Sequence, residues 1–306
     1  MGVGTVMKQE FKGVFLNEYG YYELVNPPTA EERKKVFESE YYQNSMSSYE
    51  QVYTKEELKY FENKLEQKEF MLRSQFSKEK DNYTLLDIGC GEGFALAHFK
   101  KSGFEVTGID FSTYGISHHN PEVVDCMIAG DCEEILPTFI EQGRKFDIIN
   151  MDSVLDMMVN PKKILTLCRE ILTEEGVLLI KVANNYSLLQ QHLLEEGKLS
   201  DTHWLDREGH PSYFNREGLI HLLDAYGYEC LDTFGESFID LNLVNDDTNY
   251  YEKAGVGKNC YWAKVDLENF MHQLSMEKTL DVFRILGEMG LGREVIGLFR
   301  IKKERE

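Results

Sequence analysis

The sequence is poor in positive charge. Its 306 residues include 33 lysines and arginines against 53 aspartates and glutamates, which gives a formal net charge of −20. Nucleic-acid affinity comes largely from cations that displace counterions from the phosphate backbone, so this deficit argues against a nucleic-acid partner. We therefore expect a small-molecule substrate.

The sequence also lacks long hydrophobic runs, and it lacks cysteine pairs with the spacing of metal ligands. The six cysteines form no Cys-x-x-Cys pair, and their spacing suggests neither a zinc cage nor a disulfide framework. The longest apolar stretch, residues 176–180, is far shorter than the roughly 20 residues needed to span a bilayer. No basic-then-apolar leader opens the chain. These absences predict a cytoplasmic protein without a membrane partner.

The first 80 residues are predicted to form a mostly helical extension or lid, residues 1–80. A tyrosine-rich strand at 19–27 ends at two prolines, and Thr29 then caps a charged helix from Ala30 to about Tyr41. A second, amphipathic helix is predicted over about 55–80.

Beyond residue 80, short apolar runs alternate with helical stretches. The runs are 84–88, 105–109, 126–129, 146–150 and 177–182. This alternation predicts a parallel sheet with helices on both faces, and hence an α/β fold.

The most informative stretch is Leu85–Ala95, where an apolar strand ends in three alternate glycines before a helix. Glycine allows a sharp turn and close ligand approach, and the helix start offers free N–H groups. A dinucleotide fingerprint would need glycine where Phe94 stands, and Glu92 lies where a pyrophosphate would approach. The turn therefore suits a cationic ligand better than NAD or FAD. Asp110, which ends the next strand, is placed to accept both hydroxyls of a ribose.

Four strand-end motifs occur in order: Asp-x-Gly-x-Gly-x-Gly from Asp87, Gly-Ile-Asp110, Ala-Gly-Asp131 and Phe-Asp-Ile-Ile-Asn150. Together they resemble the class I S-adenosylmethionine-dependent methyltransferases over about Tyr83–Tyr228 and the final strand. The resemblance implies a Rossmann-like, mostly parallel seven-stranded sheet. It also implies S-adenosylmethionine as the cofactor and S-adenosylhomocysteine as its product.

The resemblance also implies a set of cofactor-binding residues. They are Asp87, Gly89, Cys90 and Gly91 at the methionine part, Asp110, Phe111, Asp131 and Cys132 at ribose and adenine, and Met151, Asp152 and Ser153 at the edge of the site.

The last two strands in this family usually form a hairpin, but here 228–234 and 294–301 are separated by about 60 residues. The apolar pattern within this insertion predicts a helical hairpin or one interrupted helix. We therefore divide the chain into the extension, a methyltransferase domain (81–241 and 293–306) and a helical insertion (242–292). The extension and insertion together would roof the acceptor pocket or form a homodimer contact.

The general base is left open, because relatives acting on small molecules often carry Leu-Glu-His after the fourth strand and this chain has Met157 at the histidine position. The polar loop 202–215 offers His203 and His210 as catalytic bases, since the ordinary histidine pKa of about 6.5 suits neutral pH. Tyr213 in the same loop would orient the acceptor. Each of the three could instead serve only local hydrogen bonding or packing.

A magnesium site is a further alternative. Carboxylate oxygens suit Mg²⁺, and the candidate ligands would be His203, His210, Asp152 and Asp156. Their spacing does not demand a metal, so we predict no metal site.

The predicted activity is methyl transfer to oxygen of a small molecule. The opening of the chain, from Gly20 to Tyr42, resembles bacterial methyltransferases of surface-polysaccharide biosynthesis, which implies a sugar, nucleotide-sugar or phospho-precursor as acceptor. Two alternatives stay open. One is a protein side-chain methyltransferase whose extensions form a long groove. The other is a protein that binds the cofactor without turnover, which the absent histidine at 157 permits.

Overall fold

The computed structural model describes residues 11–29, 31–32, 52–76, 82–206 and 210–303. Most of the predicted helix Ala30–Tyr41 lies outside these ranges. None of the helices within them is both long and apolar enough to cross a membrane.

Ten strands and nine helices of the described residues are used below. The strands are β1 Val14–Leu16, β2 Tyr22–Leu24, β3 Thr84–Ile88, β4 Glu105–Asp110, β5 Met127–Ala129, β6 Phe146–Asp152, β7 Leu172–Ala183, β8 Ser212–Tyr213, β9 Tyr228–Glu236 and β10 Glu294–Ile301. The helices are α1 Lys55–Arg73, α2 Phe94–Lys101, α3 Tyr114–His119, α4 Cys132–Glu141, α5 Pro161–Ile171, α6 Leu188–Glu195, α7 Arg216–Ala225, α8 Gly257–Leu274 and α9 Met276–Glu288.

Seven strands form the central sheet in the order β5-β4-β3-β6-β7-β10-β9. The first five run parallel, and β10 is antiparallel to both of its neighbours. Ile148, Ile149 and Leu178 in the central strands have no exposed surface. Burial on both faces explains why these strands read as continuous apolar runs rather than alternating patterns. The predicted α/β class and mostly parallel seven-stranded sheet are confirmed.

The N-terminal extension contains strands as well as a helix. β1 pairs with β2, and β2 pairs with β8, which lies in the loop that carries the candidate bases. The prediction of a mostly helical extension missed β1, whose three residues are too short to show a period. This small sheet ties the extension to the loop 202–215.

α1 begins at a capping box, in which the side chains of Thr54 and Glu57 each accept from the other's backbone N–H. One face of α1 packs against α8 of the insertion. Gln67 contacts His272 at 2.7 Å, and Asn63 donates to Asn269 at 2.8 Å. We call α1 and α8 together the helical roof.

The insertion between β9 and β10 contains α8 and α9, which Ser275 separates. Ser275 caps α9 by accepting from the backbone N–H of Lys278, so the break between the helices is encoded locally. Of the two predicted arrangements, the structure has two helices rather than one.

Candidate functional site

A cavity of about 540 Å³ lies at the carboxyl ends of β3, β4 and β6. Such ends meet at one edge of a parallel sheet, where ligands of open α/β sheets bind. The helical roof lines the same cavity through Tyr60, Lys64, Lys68, Tyr261 and Lys264. The predicted residues brought to this cavity are Asp87, Gly89, Cys90, Gly91, Asp110, Asp152, Ser153 and His210.

The glycine-rich turn is anchored on β4. The N–H groups of Gly89 and Cys90 donate to the carbonyl oxygen of Ile109 at 2.8 and 3.1 Å. Gly91 donates to Asp110 Oδ2 at 2.8 Å, while Asp110 Oδ1 accepts from the backbone of Ser112 at 3.1 Å. Asp110 is buried, and burial raises its pKa. With the backbone of Phe111, Asp110 receives three hydrogen bonds, and its two oxygens together carry four lone pairs, so acceptor capacity remains.

Position 89 requires glycine for two reasons, its backbone conformation and its close neighbour Val154. Its φ is +75°, and a Cβ added there would lie 2.3 Å from Val154 Cγ2. Gly103 has a similar φ of +87° but has nothing within 4 Å of the corresponding position. Comparing the same substitution at these two positions therefore separates the cost of backbone strain from the cost of steric overlap.

We expect Gly103→Ala to lower the free energy of unfolding by about 1–2 kcal/mol through backbone strain alone. Gly89→Ala should cost about 1–3 kcal/mol more, because the methyl group must displace Val154. Urea unfolding of both variants measures the difference. Equal destabilisation would show that the turn can move away from Val154.

Asp87 and Asn150 line the cavity with oxygen atoms that can accept hydrogen bonds. Asn150 Nδ2 donates to Asp87 Oδ1 at 2.5 Å, and burial raises the pKa of Asp87 to about 6. Asn150 Oδ1 is buried and has no hydrogen-bond partner among the described residues. A ligand with positive charge and N–H donors would satisfy both groups. S-adenosylmethionine, which carries a sulfonium and an ammonium, therefore fits these residues.

Asp152 at the end of β6 is held by two lysines. It accepts from Lys68 of α1 and, at 2.8 Å, from Lys181 of β7. Burial opposes its ionisation, but the two cations hold its pKa well below the ordinary range. Ser153 donates to Asp152 Oδ1 at 3.1 Å. The contact with Lys68 attaches the helical roof to the edge of the sheet.

Sequence reasoning missed the residues of α1 that line the cavity. Tyr60, Lys64 and Lys68 are spaced four residues apart, so they lie on one helical face. That spacing was visible in the sequence. Nothing local indicated that this face meets the glycine-rich turn.

Four predicted cofactor residues are not among those that line the cavity: Phe111, Asp131, Cys132 and Met151. Asp131 Oδ1 accepts from the backbone N–H of Glu133 at 2.8 Å and so caps α4. Met151 and Cys132 are buried in the core. Their contacts with a ligand stay predictions.

Of the three residues predicted for catalysis, only His210 is among those that line the cavity. His210 lines the cavity, with Nδ1 3.4 Å from Asp206 Oδ2 and Nε2 3.9 Å from Asp156 Oδ2. Asp156 is buried, and burial raises its pKa. Carboxyl groups of Asp206 and Asp156 therefore lie beside the two ring nitrogens of His210.

His203 and Tyr213 are absent from the lining of that cavity. His203 Nε2 lies 2.7 Å from Glu252 Oε1, and its ring stacks on Tyr251 with centres 5.1 Å apart. The Tyr213 side chain is fully buried, and its hydroxyl donates to the carbonyl oxygen of Asp206. Tyr213 thereby supports the residue that faces His210. A catalytic role for His203 or Tyr213 stays a prediction.

The residues of the alternative magnesium site do not form a cluster. Within the described ranges, no group of three or more histidine, cysteine, aspartate or glutamate side chains is arranged to hold a metal ion. Asp152 is instead bound to lysines, and His203 to Glu252.

Ubiquinone biosynthesis O-methyltransferases are similar to this chain in sequence. The Ubiquinone biosynthesis O-methyltransferase of Pasteurella multocida (strain Pm70) is 26% identical over 164 residues, which cover 49% of this chain and 67% of that protein. The protein of the same name from Glaesserella parasuis serovar 5 (strain SH0165) is 32% identical over 123 residues, covering 37% of this chain and 52% of that protein. The chain thus spans between about half and two thirds of the length of these relatives.

A solved structure of a SAM dependent methyltransferase from Archaeoglobus fulgidus is similar with a TM-score of 0.47 and 18% identity. The similarity covers 78% of this chain and 94% of that chain. An S-adenosylmethionine-dependent methyltransferase from Clostridium acetobutylicum ATCC 824 has a TM-score of 0.46 at 11% identity, covering 79% of this chain and 92% of that one.

A family model described as a methyltransferase domain matches residues 56–233. The match includes nearly all of α1, the glycine-rich turn and the loop that carries His210, and it extends over more than half of the chain. The predicted cofactor, S-adenosylmethionine, is confirmed by this match. The chain belongs to the methyltransferase-domain family.

Proposed function

We propose that this protein transfers a methyl group from S-adenosylmethionine to a hydroxyl oxygen of a small molecule. The observation that carries the proposal is that one cavity is lined by the glycine-rich turn, by Asp87 and Asp110, and by His210. Residues that could bind the cofactor and a residue that could remove a proton therefore line the same cavity.

S-adenosylmethionine supplies an electrophilic methyl group, whose bond to sulfur breaks with its electron pair leaving on the sulfur. In this proposal, Asp110 accepts from the ribose hydroxyls, and Asp87 with Asn150 accepts from the ammonium. His210 takes the proton of the acceptor hydroxyl as the new bond to carbon forms. Asp206 and Asp156 then stabilise the protonated ring.

The roof supports a small acceptor rather than a protein side chain. α1 reaches the end of β6 through the contact between Lys68 and Asp152, and its side chains line one wall of the cavity, which favours a small acceptor. The similarity to O-methyltransferases supports oxygen as the methylated atom. A sugar, nucleotide-sugar or phospho-precursor of surface polysaccharide stays within the proposed class as a prediction.

Isothermal titration with S-adenosylmethionine and S-adenosylhomocysteine tests the cofactor site, and we expect both to bind. A methyl-donor assay should then detect transfer to at least one member of a panel of sugar phosphates, nucleotide sugars and catechols. The absence of binding to either ligand would contradict the proposal. Binding without transfer to any acceptor would favour a protein that holds the cofactor without turnover.

A further inference from the structure

The cavity wall carries a set of cations that the cofactor does not require. Four lysines line it: Lys64, Lys68, Lys181 and Lys264. Three of them are neutralised by nearby carboxylates. Lys64 lies 2.8 Å from Glu268 Oε2, and both Lys68 and Lys181 bind Asp152.

Lys264 on α8 is the exception. Among the described residues, it has no ion pair with a carboxylate within 4.0 Å. Its Nζ atom donates instead to the hydroxyl of Tyr60 at 3.2 Å. It also lies 4.4 Å from the ring centre of Tyr60 and 4.9 Å from that of Tyr261. Ring faces position an ammonium but do not cancel its charge.

The surroundings of Lys264 disfavour its positive charge. Burial lowers its pKa and is the largest influence. Glu294 and Glu268 act in the opposite direction at longer range, while Lys64 and Lys181 reinforce the lowering. A partly buried cation without a carboxylate partner gains more from an incoming anion than a cation already paired with a carboxylate.

The hydroxyl of Tyr60 provides a second hydrogen-bonding group beside the ammonium of Lys264. Its hydroxyl oxygen accepts from Lys264, and in the described part of the chain no hydrogen bond donated by that hydroxyl is formed. Its proton is therefore available to the ligand that meets the lysine. The ammonium and the hydroxyl together offer two donors to one anionic group.

We propose that Lys264, positioned by Tyr60 and Tyr261, binds a phosphate or carboxylate group on the methyl acceptor. The inference rests on the proposed function, because it takes this cavity as the place where the acceptor binds. It narrows the acceptor to an anionic hydroxyl compound, and Lys264 becomes a residue that determines specificity.

Calorimetry on the full chain saturated with S-adenosylhomocysteine compares two matched probe pairs. Glucose 1-phosphate is compared with methyl glucoside, and 3,4-dihydroxybenzoate with catechol. In at least one pair, the charged probe should bind at least about tenfold more tightly than the neutral one, the ratio that a charge-assisted hydrogen bond provides. The pair that shows the preference distinguishes phosphate from carboxylate.

Lys264→Ala should abolish this preference, and Lys264→Arg should retain part of it because the charge is kept. Lys258→Ala is the matched control, since it removes one positive charge from an exposed position on the same helix. It should leave the preference unchanged. S-adenosylhomocysteine affinity, measured for every variant, reports whether the site is intact.

Equal binding of charged and neutral probes in both pairs would overturn this inference, as would a preference that persists in Lys264→Ala. Either result, obtained with normal S-adenosylhomocysteine binding, leaves the proposed function standing. A wild-type chain that does not bind S-adenosylhomocysteine would overturn the proposed function and this inference together.

Discussion

His210→Ala should lower kcat by roughly 10²–10⁴-fold, the usual contribution of a positioned general base. The imidazole lines the cavity at the sheet edge, and carboxylates of Asp206 and Asp156 lie beside its two nitrogens. Removing the ring removes the group that we propose as the acceptor of the hydroxyl proton, while leaving the glycine-rich turn in place. Steady-state kinetics with an acceptor identified from the panel measures the loss.

His203→Ala is the comparison variant. His203 lies in the same loop but is paired with Glu252, so its loss should have a much smaller effect on kcat. Added imidazole should partly restore activity to His210→Ala if the residue acts as a base. Unchanged kcat in His210→Ala, or an equal loss in both variants, would contradict the assignment.

Asp110→Ala should weaken S-adenosylmethionine binding by at least about 100-fold, since two charge-assisted hydrogen bonds to ribose would be lost. The substitution also removes the acceptor for the backbone N–H of Gly91, which anchors the turn at 2.8 Å. Both effects should weaken binding of the cofactor rather than binding of the methyl acceptor. Isothermal titration with S-adenosylhomocysteine measures the affinity directly.

Asp125→Ala provides the charge-matched control, because Asp125 is exposed and does not line the cavity. Its affinity should equal that of the wild type. Thermal unfolding of Asp110→Ala separates a local loss of binding from a global loss of structure. An Asp110→Ala protein that stays folded and binds with normal affinity would refute the ribose role.

The cluster of glycines and carboxylates at the sheet edge was largely predictable. Asp87, Gly89 and Gly91 lie within five residues at a strand end, and Asp110 ends the neighbouring strand. In a parallel sheet, strand ends that are neighbours in space carry their side chains to one edge. A pattern read along the sequence therefore translated directly into a cluster in space.

The wall formed by the helical roof, where we propose that the acceptor binds, was not predictable in the same way. Lys264 meets Tyr60 across a separation of 204 residues, and His272 meets Gln67 across 205. The amphipathic pattern indicated that both helices have a buried face, but an apolar period does not specify its partner. The two histidines of one loop show the same limit, since His210 reached the cavity and His203 did not.

By itself, the sequence determined the α/β class, the glycine-rich turn and the acidic strand ends, because these follow from short-range periodicity and backbone sterics. Only the tertiary structure decided that α1 and α8 form a roof, which cavity lysine has no carboxylate partner among the described residues, and which histidine lines the cavity. Those outcomes depend on contacts between segments far apart in the chain. Such contacts are selected by the packing and charge balance of the whole fold rather than by any local pattern.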